Sequence, residues 1–154
     1  MGETMKLAEA LQERADIGKR IEQLNARLQD NALVQEGENP AESPEGLLAE
    51  LDDAVARLEE LMARINATNC RTVVDGKSLT ELIARKDALQ RQAAIYRNVV
   101  SAASQAARRA TRTEIKILSA VDVRSLQKKA DALSKEIRRT DNTIQEMNWK
   151  TELM

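Results

Sequence analysis

The sequence predicts an all-α fold: about four long antiparallel helices in a coiled-coil-like bundle, with a small two-stranded ribbon at one end. Three observations predict it. The first is composition. Of 154 residues 32% are charged and only 1% aromatic, with no Phe, one Tyr and one Trp. A rounded core of this size usually draws on several rings, each burying a large area. Their scarcity favours long helices joined by Leu, Ile and Ala seams, as does a chain with only five Gly and two Pro. The second is periodicity: apolar residues return on alternating three- and four-residue steps through four separate stretches. The third is punctuation, because every interruption of that period carries its own turn or capping residues.

The first helix is read over about residues 4–31. Leu7, Ala10, Ile17, Ile21, Leu24 and Leu28 make its seam, and Arg14 and Asn31 fall on the same line. Buried polar groups there would cost stability but could fix register. EGENPAESPEG, from Glu36 to Gly46, ends the period with both prolines, which lack the ladder donor and disfavour helix in the residue before them. Ser43 then reads as an N-cap and Pro44 as the first helical position of a second helix, 44–68. Its seam is Leu48, Leu51, Val55, Leu58, Met62 and Ile65, widened by Leu47 and Leu61. In TVVDGKSLTE, Asp75-Gly76 marks a tight turn, and Ser78 with Glu81 makes a capping box for a third helix, 78–109. That helix runs through Leu82, Leu89, Tyr96, Val100, Ala103, Ala107 and Ala110 and turns small-sided toward its end. Asp122 caps a fourth helix, 123–148, with Leu126, Ala130, Leu133, Ile137, Ile144 and Met147 as its seam.

Between the third and fourth helices, TEIKIL breaks the period with crowded β-branched residues. Long helices with short connections become antiparallel neighbours. An up-down-up-down path then sets this segment at the same end as Ala32–Gln35. Two short extended pieces could pair there and satisfy backbone groups orphaned by the helix ends. The expected ribbon therefore joins Ala32–Gln35 to Glu114–Leu118, in a single helical domain covering 1–154.

The charge is lopsided. Residues 1–76 hold 8 Lys/Arg against 16 Asp/Glu, a balance of −8, whereas residues 77–154 hold 16 against 9, a balance of +7. A basic half can point to nucleic acid or an anionic membrane. Attraction between the halves, within a chain or between chains, ranks above either. The chain lacks histidine, which excludes Ser-His-Asp and Cys-His catalysis and His-bearing metal sites. A lone cysteine, Cys70, can form no internal disulfide, and a reducing, cytoplasmic address follows as the default. No apolar run approaches the ~20 residues of a membrane span. Carboxylate neighbours such as Asp52/Asp53 and Glu59/Glu60 flank or oppose the apolar seam and read as solvated surface. No Gly-rich phosphate loop appears, no cofactor is implied, and no constellation supports an enzyme. The candidate interaction residues are Arg108, Arg109 and Arg112, the densest basic patch, and Trp149, the single large aromatic anchor. No aromatics interleave the arginines for base stacking, so nucleic acid ranks low.

Several phrases together, LAEALQERADI, IEQLNARLQDNALVQEGENPAE, SLTELIARKDAL, EIKILSAVDVRSLQKKADALSKEIR and IQEMNWKTEL, resemble a family of small bacterial helical proteins labelled septicolysin. The similarity covers nearly the whole chain. It implies a helical, cytosolic protein without an assigned lytic site, while the label implies membrane damage. The expected function is a structural or interaction protein whose partner is itself, with a lytic, membrane-active protein as the alternative. The apolar stripes of helices two and three are wider than one neighbour needs. Twofold closure is the commonest symmetry, so a dimer is expected first.

Overall fold

A computed structural model describes residues 4–105 and 115–154. Four long helices dominate it: α1 (Leu7–Asp30), α2 (Pro44–Arg71), α3 (Leu79–Ser104) and α4 (Val123–Lys150). Two short strands, β1 (Val73–Val74) and β2 (Lys77–Ser78), pair between α2 and α3. The expected all-α class with one small ribbon therefore holds. The chain divides into two compact units, Met1–Val74 with Met147–Met154, and Asp75–Glu146.

The helix ends obey local chemistry. Ser43 Oγ accepts the amide of Gly46 at 3.3 Å, with Pro44 at the first helical position. The capping box at α3 is complete: Ser78 Oγ accepts from the Glu81 amide, and the Glu81 carboxylate accepts from the Ser78 amide, both at 3.1 Å. The Asp122 carboxylate accepts the Ser125 amide at 3.1 Å and starts α4.

In the first unit α1 and α2 form an antiparallel hairpin, with ion pairs that step back along the chain as they climb α1: Glu13 with Arg57 and Arg20 with Glu50 on α2, then Arg27 with Glu42 just before it. Its core holds Leu7, Ala10 and Leu24 against Leu47, Ala54, Leu61 and Ile65. Asn31, expected on the seam, is buried and productive. Its amide donates to the Arg27 carbonyl at 2.8 Å, and its carbonyl oxygen accepts the Glu42 amide at 3.0 Å. Arg14 instead lies exposed. The C-terminal residues close the other end. The Leu7 amide donates to the Thr151 carbonyl and the Leu153 amide to the Met5 carbonyl, each at 2.8 Å, around an antiparallel bridge of Lys6 and Glu152. The Met154 amide donates to buried Thr68 Oγ1 at 3.0 Å, and Arg64 Nε donates to the Met154 carbonyl at 2.8 Å.

In the second unit α3 and α4 run antiparallel: Lys86 sits on Asp141 (2.7 Å) and Arg85 on Glu136 (3.2 Å), and farther along α3 Gln92 and Tyr96 lie beside Lys129 and Leu133, earlier on α4. Leu79, Ala93, Ala130 and Ile144 are its buried apolar residues, and half-buried Leu82, Leu89, Tyr96, Leu133 and Ile137 complete the expected seams.

Two expectations about detail are corrected. The ribbon does not join Ala32–Gln35 to Glu114–Leu118: residues 32–35 and 115–118 carry no strand, and Glu114 lies outside the described residues. Local turns already occupy the first segment, where the Ala32 amide donates to the Gln29 carbonyl and the Glu38 amide to the Gln35 carbonyl. The interruption itself is real, since residues 115–119 are not helical. The ribbon forms instead around Asp75 (φ 50) and Gly76 (φ 80). Two consecutive left-handed residues make the two-residue turn whose twist suits a hairpin.

The second correction concerns α2. Its packed line is Leu47, Ala54, Leu61, Ile65 and Thr68, with Leu51 and Leu58 half-buried beside it. Leu48, Val55 and Met62, expected in the seam, stand 47%, 47% and 45% exposed. The two residues expected merely to widen the seam, Leu47 and Leu61, are the buried ones. Both lines keep steps of three and four, and they share Leu51, Leu58 and Ile65. The presence of small Ala54 on the inner line lets α1 approach it closely.

Candidate interaction surfaces

Leu48, Val55 and Met62 repeat every seven residues, so they align on one face of α2. Each of the first two has an acidic residue four positions on: Asp52 follows Leu48 and Glu59 follows Val55. Both carboxylates are exposed, and no ion pair among the described residues reaches either. Two other acidic residues of the helix are engaged, Glu60 by Arg57 and Arg64 and Glu50 by Arg20, whereas Glu45 and Asp53 have no ion pair among the described residues. The outer face of α2 is thus an apolar line with an uncompensated acidic border.

The opposite chemistry gathers in the second unit. A groove of about 290 Å³ between α3 and α4 is lined by Gln92, Tyr96, Lys129, Ala132 and Leu133. Along α3 its wall continues into exposed Ile95 and half-exposed Val99, which share a face with Gln92 and Tyr96 at steps of three and four. On α4 the exposed residues include Lys128, Lys129, Lys135, Arg138 and Arg139, and no carboxylate among the described residues pairs with them. Counted by unit, the first carries 9 Lys/Arg and 16 Asp/Glu, a balance of −7; the second carries 15 and 9, a balance of +6.

Trp149 stands 65% exposed near the end of α4. It lines an open groove of about 520 Å³ with Thr4, Met5 and Ala8 and with Glu9, Gln12, Glu13 and Asp16 of α1. It therefore does not seal a core. Of these carboxylates Glu13 is committed: Arg57 grips it through Nε at 2.7 Å and Nη2 at 3.0 Å. That bidentate hydrogen bond holds the Glu13 carboxyl below the usual carboxylate range, and bonds to Glu13 and Glu60 push the Arg57 guanidinium up. Glu42 is lowered likewise by Arg27, and Asp141 by Lys86. These shifts belong to ion pairs that tie separate segments of each unit together.

Arg108, Arg109 and Arg112 lie outside the described residues. The exposed stripe on α2 and the groove on α3–α4 were missed as sites by sequence reasoning, although the seven-residue spacing of Leu48, Val55 and Met62 is written in the chain. Among the described residues no three Cys, Asp or Glu side chains are gathered as a metal ion would require. No helix among them is long and apolar enough to cross a membrane. Cys70 is exposed near the end of α2.

A comparison with curated proteins finds no match. A crystal structure of a functionally unknown conserved protein from Corynebacterium diphtheriae is similar to 99% of this chain and 100% of its own, at 40% identity and a TM-score of 0.92. The model of a family of unknown function, DUF6847, matches residues 14–153. The expected septicolysin resemblance is overturned by these findings, because neither the family nor the solved structure carries that label, and the lytic reading that hung on it goes with it. The shared phrases mark a different kinship: the chain belongs to the DUF6847 family of unknown function.

Proposed function

We propose that the protein is a structural or interaction protein that works as a self-associating assembly of helices. The observation that carries this reading is the outer face of α2, where Leu48, Val55 and Met62 line up at heptad spacing with 45–47% of their surface in water. Isolated exposed apolar residues are ordinary, but an aligned series beside a packed seam marks a helix built for more than one neighbour. The same holds on α3 for Ile95 (62% exposed) and Val99.

Light scattering on a sizing column tests it. At micromolar protein and low salt the expected mass is a multiple of 17.2 kDa, with twice that value first. A mass of 17.2 kDa at every concentration and ionic strength would remove the proposal.

A further inference from the structure

Resting on the self-association reading, we infer that α2 of one copy docks along the α3–α4 groove of a second copy. The acidic border of one then meets the basic wall of the other. Three features converge on this arrangement.

The surfaces match in kind. An amphipathic helix enters an apolar groove through anchors repeated along one face. Leu48, Val55 and Met62 are such anchors, and Tyr96 and Leu133, continued by exposed Ile95, offer the apolar receptor. They also match in sign. Asp52 and Glu59 border the anchors, while Lys129 lines the groove with exposed Lys128 next to it on α4, and none of the four has an ion-pair partner among the described residues. Pairing the α2 face with itself would set Asp52 and Glu59 of both copies together, and such like-charge contacts select against that mode.

The size suits a modest, salt-sensitive pair. The anchors run from Leu48 to Met62, about 22 Å of helix at ~1.5 Å per residue. With a contact strip about 10 Å wide each contact covers roughly 220 Å². In a twofold pair each copy gives one helix and one groove, so the contact occurs twice and reaches roughly 440 Å² per partner, at the low end of the range, where weak and transient pairs lie. Each copy offers both signs, and twofold closure is the commonest way for such a chain to use both at once.

A charge-swap experiment tests the inference on the full chain. One variant carries Asp52→Lys with Glu59→Lys, and the other carries Lys128→Glu with Lys129→Glu. All four side chains are exposed, and circular dichroism checks that both variants stay helical. At low salt each variant alone is expected to shift from twice 17.2 kDa to 17.2 kDa. An equimolar mixture should return to the double mass, because both contacts in the mixed pair are again complementary. The chain carrying all four substitutions should also pair. If wild type associates while the variants keep the double mass, or the mixture stays monomeric, this docking mode is wrong although self-association stands. A monomeric wild type removes both readings. Recovery in the mixture cannot come from misfolding, since a damaged chain has no means of rescuing another.

Discussion

Replacing Thr68 with Val tests the junction between α2 and the C-terminal residues. Thr68 is fully buried. Its hydroxyl donates to the Arg64 carbonyl at 2.8 Å and accepts the Met154 amide at 3.0 Å. Valine keeps the shape and removes the oxygen. The Arg64 carbonyl sits mid-helix and retains the ladder bond of its turn, so the loss falls on the Met154 amide. Stranding a buried donor costs about 1–3 kcal/mol. Met154 is 48% exposed, and water can partly replace the lost acceptor, which places the cost near the low end, about 1 kcal/mol. At ~1.4 kcal/mol per tenfold, hydrogen exchange at the Met154 amide should accelerate about fivefold. Thr68→Ser is the control: it keeps the hydroxyl and deletes a methyl, at about 1 kcal/mol of packing. Global stability would then fall similarly in both variants, and only the Val variant should lose protection at Met154. The reasoning fails if exchange there stays within twofold of wild type in the Val variant, or if the Ser variant accelerates it equally.

Adjacent positions on α2 should respond in opposite ways. Leu61→Ala empties a fully buried site and should cost about 2–5 kcal/mol, whereas Met62→Ala, at a half-exposed position, should cost under about 1 kcal/mol; urea midpoints in dilute, high-salt solution where the chain is monomeric decide, and equal losses there would mean that the packed line is misassigned. The Glu13–Arg57 pair carries a pH dependence. Because the folded-state pKa of Glu13 is lowered, chiefly by its hydrogen bond to Arg57, its contribution is present above its unfolded value of about 4.3 and lost as pH falls through the folded one. With a third of each side chain in water, that contribution is about 1 kcal/mol at most. Glu13→Gln should therefore lower the urea midpoint at pH 7, by a deficit that shrinks as pH falls below the unfolded value and through the lowered folded one; a deficit that stays constant on acidification would mean that the glutamate acts through packing.

How much of this was legible in the chain depends on how far each signal reaches. The caps act over three or four residues, and Ser43, Ser78 with Glu81, and Asp122 all start their helices as their chemistry requires. The turn at Asp75-Gly76 was legible too, yet its strands were not, because Val73–Val74 and Lys77–Ser78 are too short for a period of two to show. The misplaced ribbon had a non-local cause. Pairing residues 32–35 with 114–118 needs information on which segments meet, and Gln35 and Asn31 spend their hydrogen bonds on neighbours instead. The exchange of seams on α2 is the most instructive case. Leu47-Leu48, Ala54-Val55 and Leu61-Met62 are three adjacent doublets, seven residues apart. Either member of each continues a step of three or four, and hydrophobicity alone favours the larger Val55 over Ala54. What decides is which face of α2 turns toward α1: Ala54 is buried there while Val55 stands 47% exposed, and a small residue on the contact face suits close helix packing. The same choice leaves the bulkier residues outward. A sequence that needed only one neighbour for α2 would gain from polar residues at 48, 55 and 62, so retaining Leu, Val and Met there makes sense if a second surface covers them.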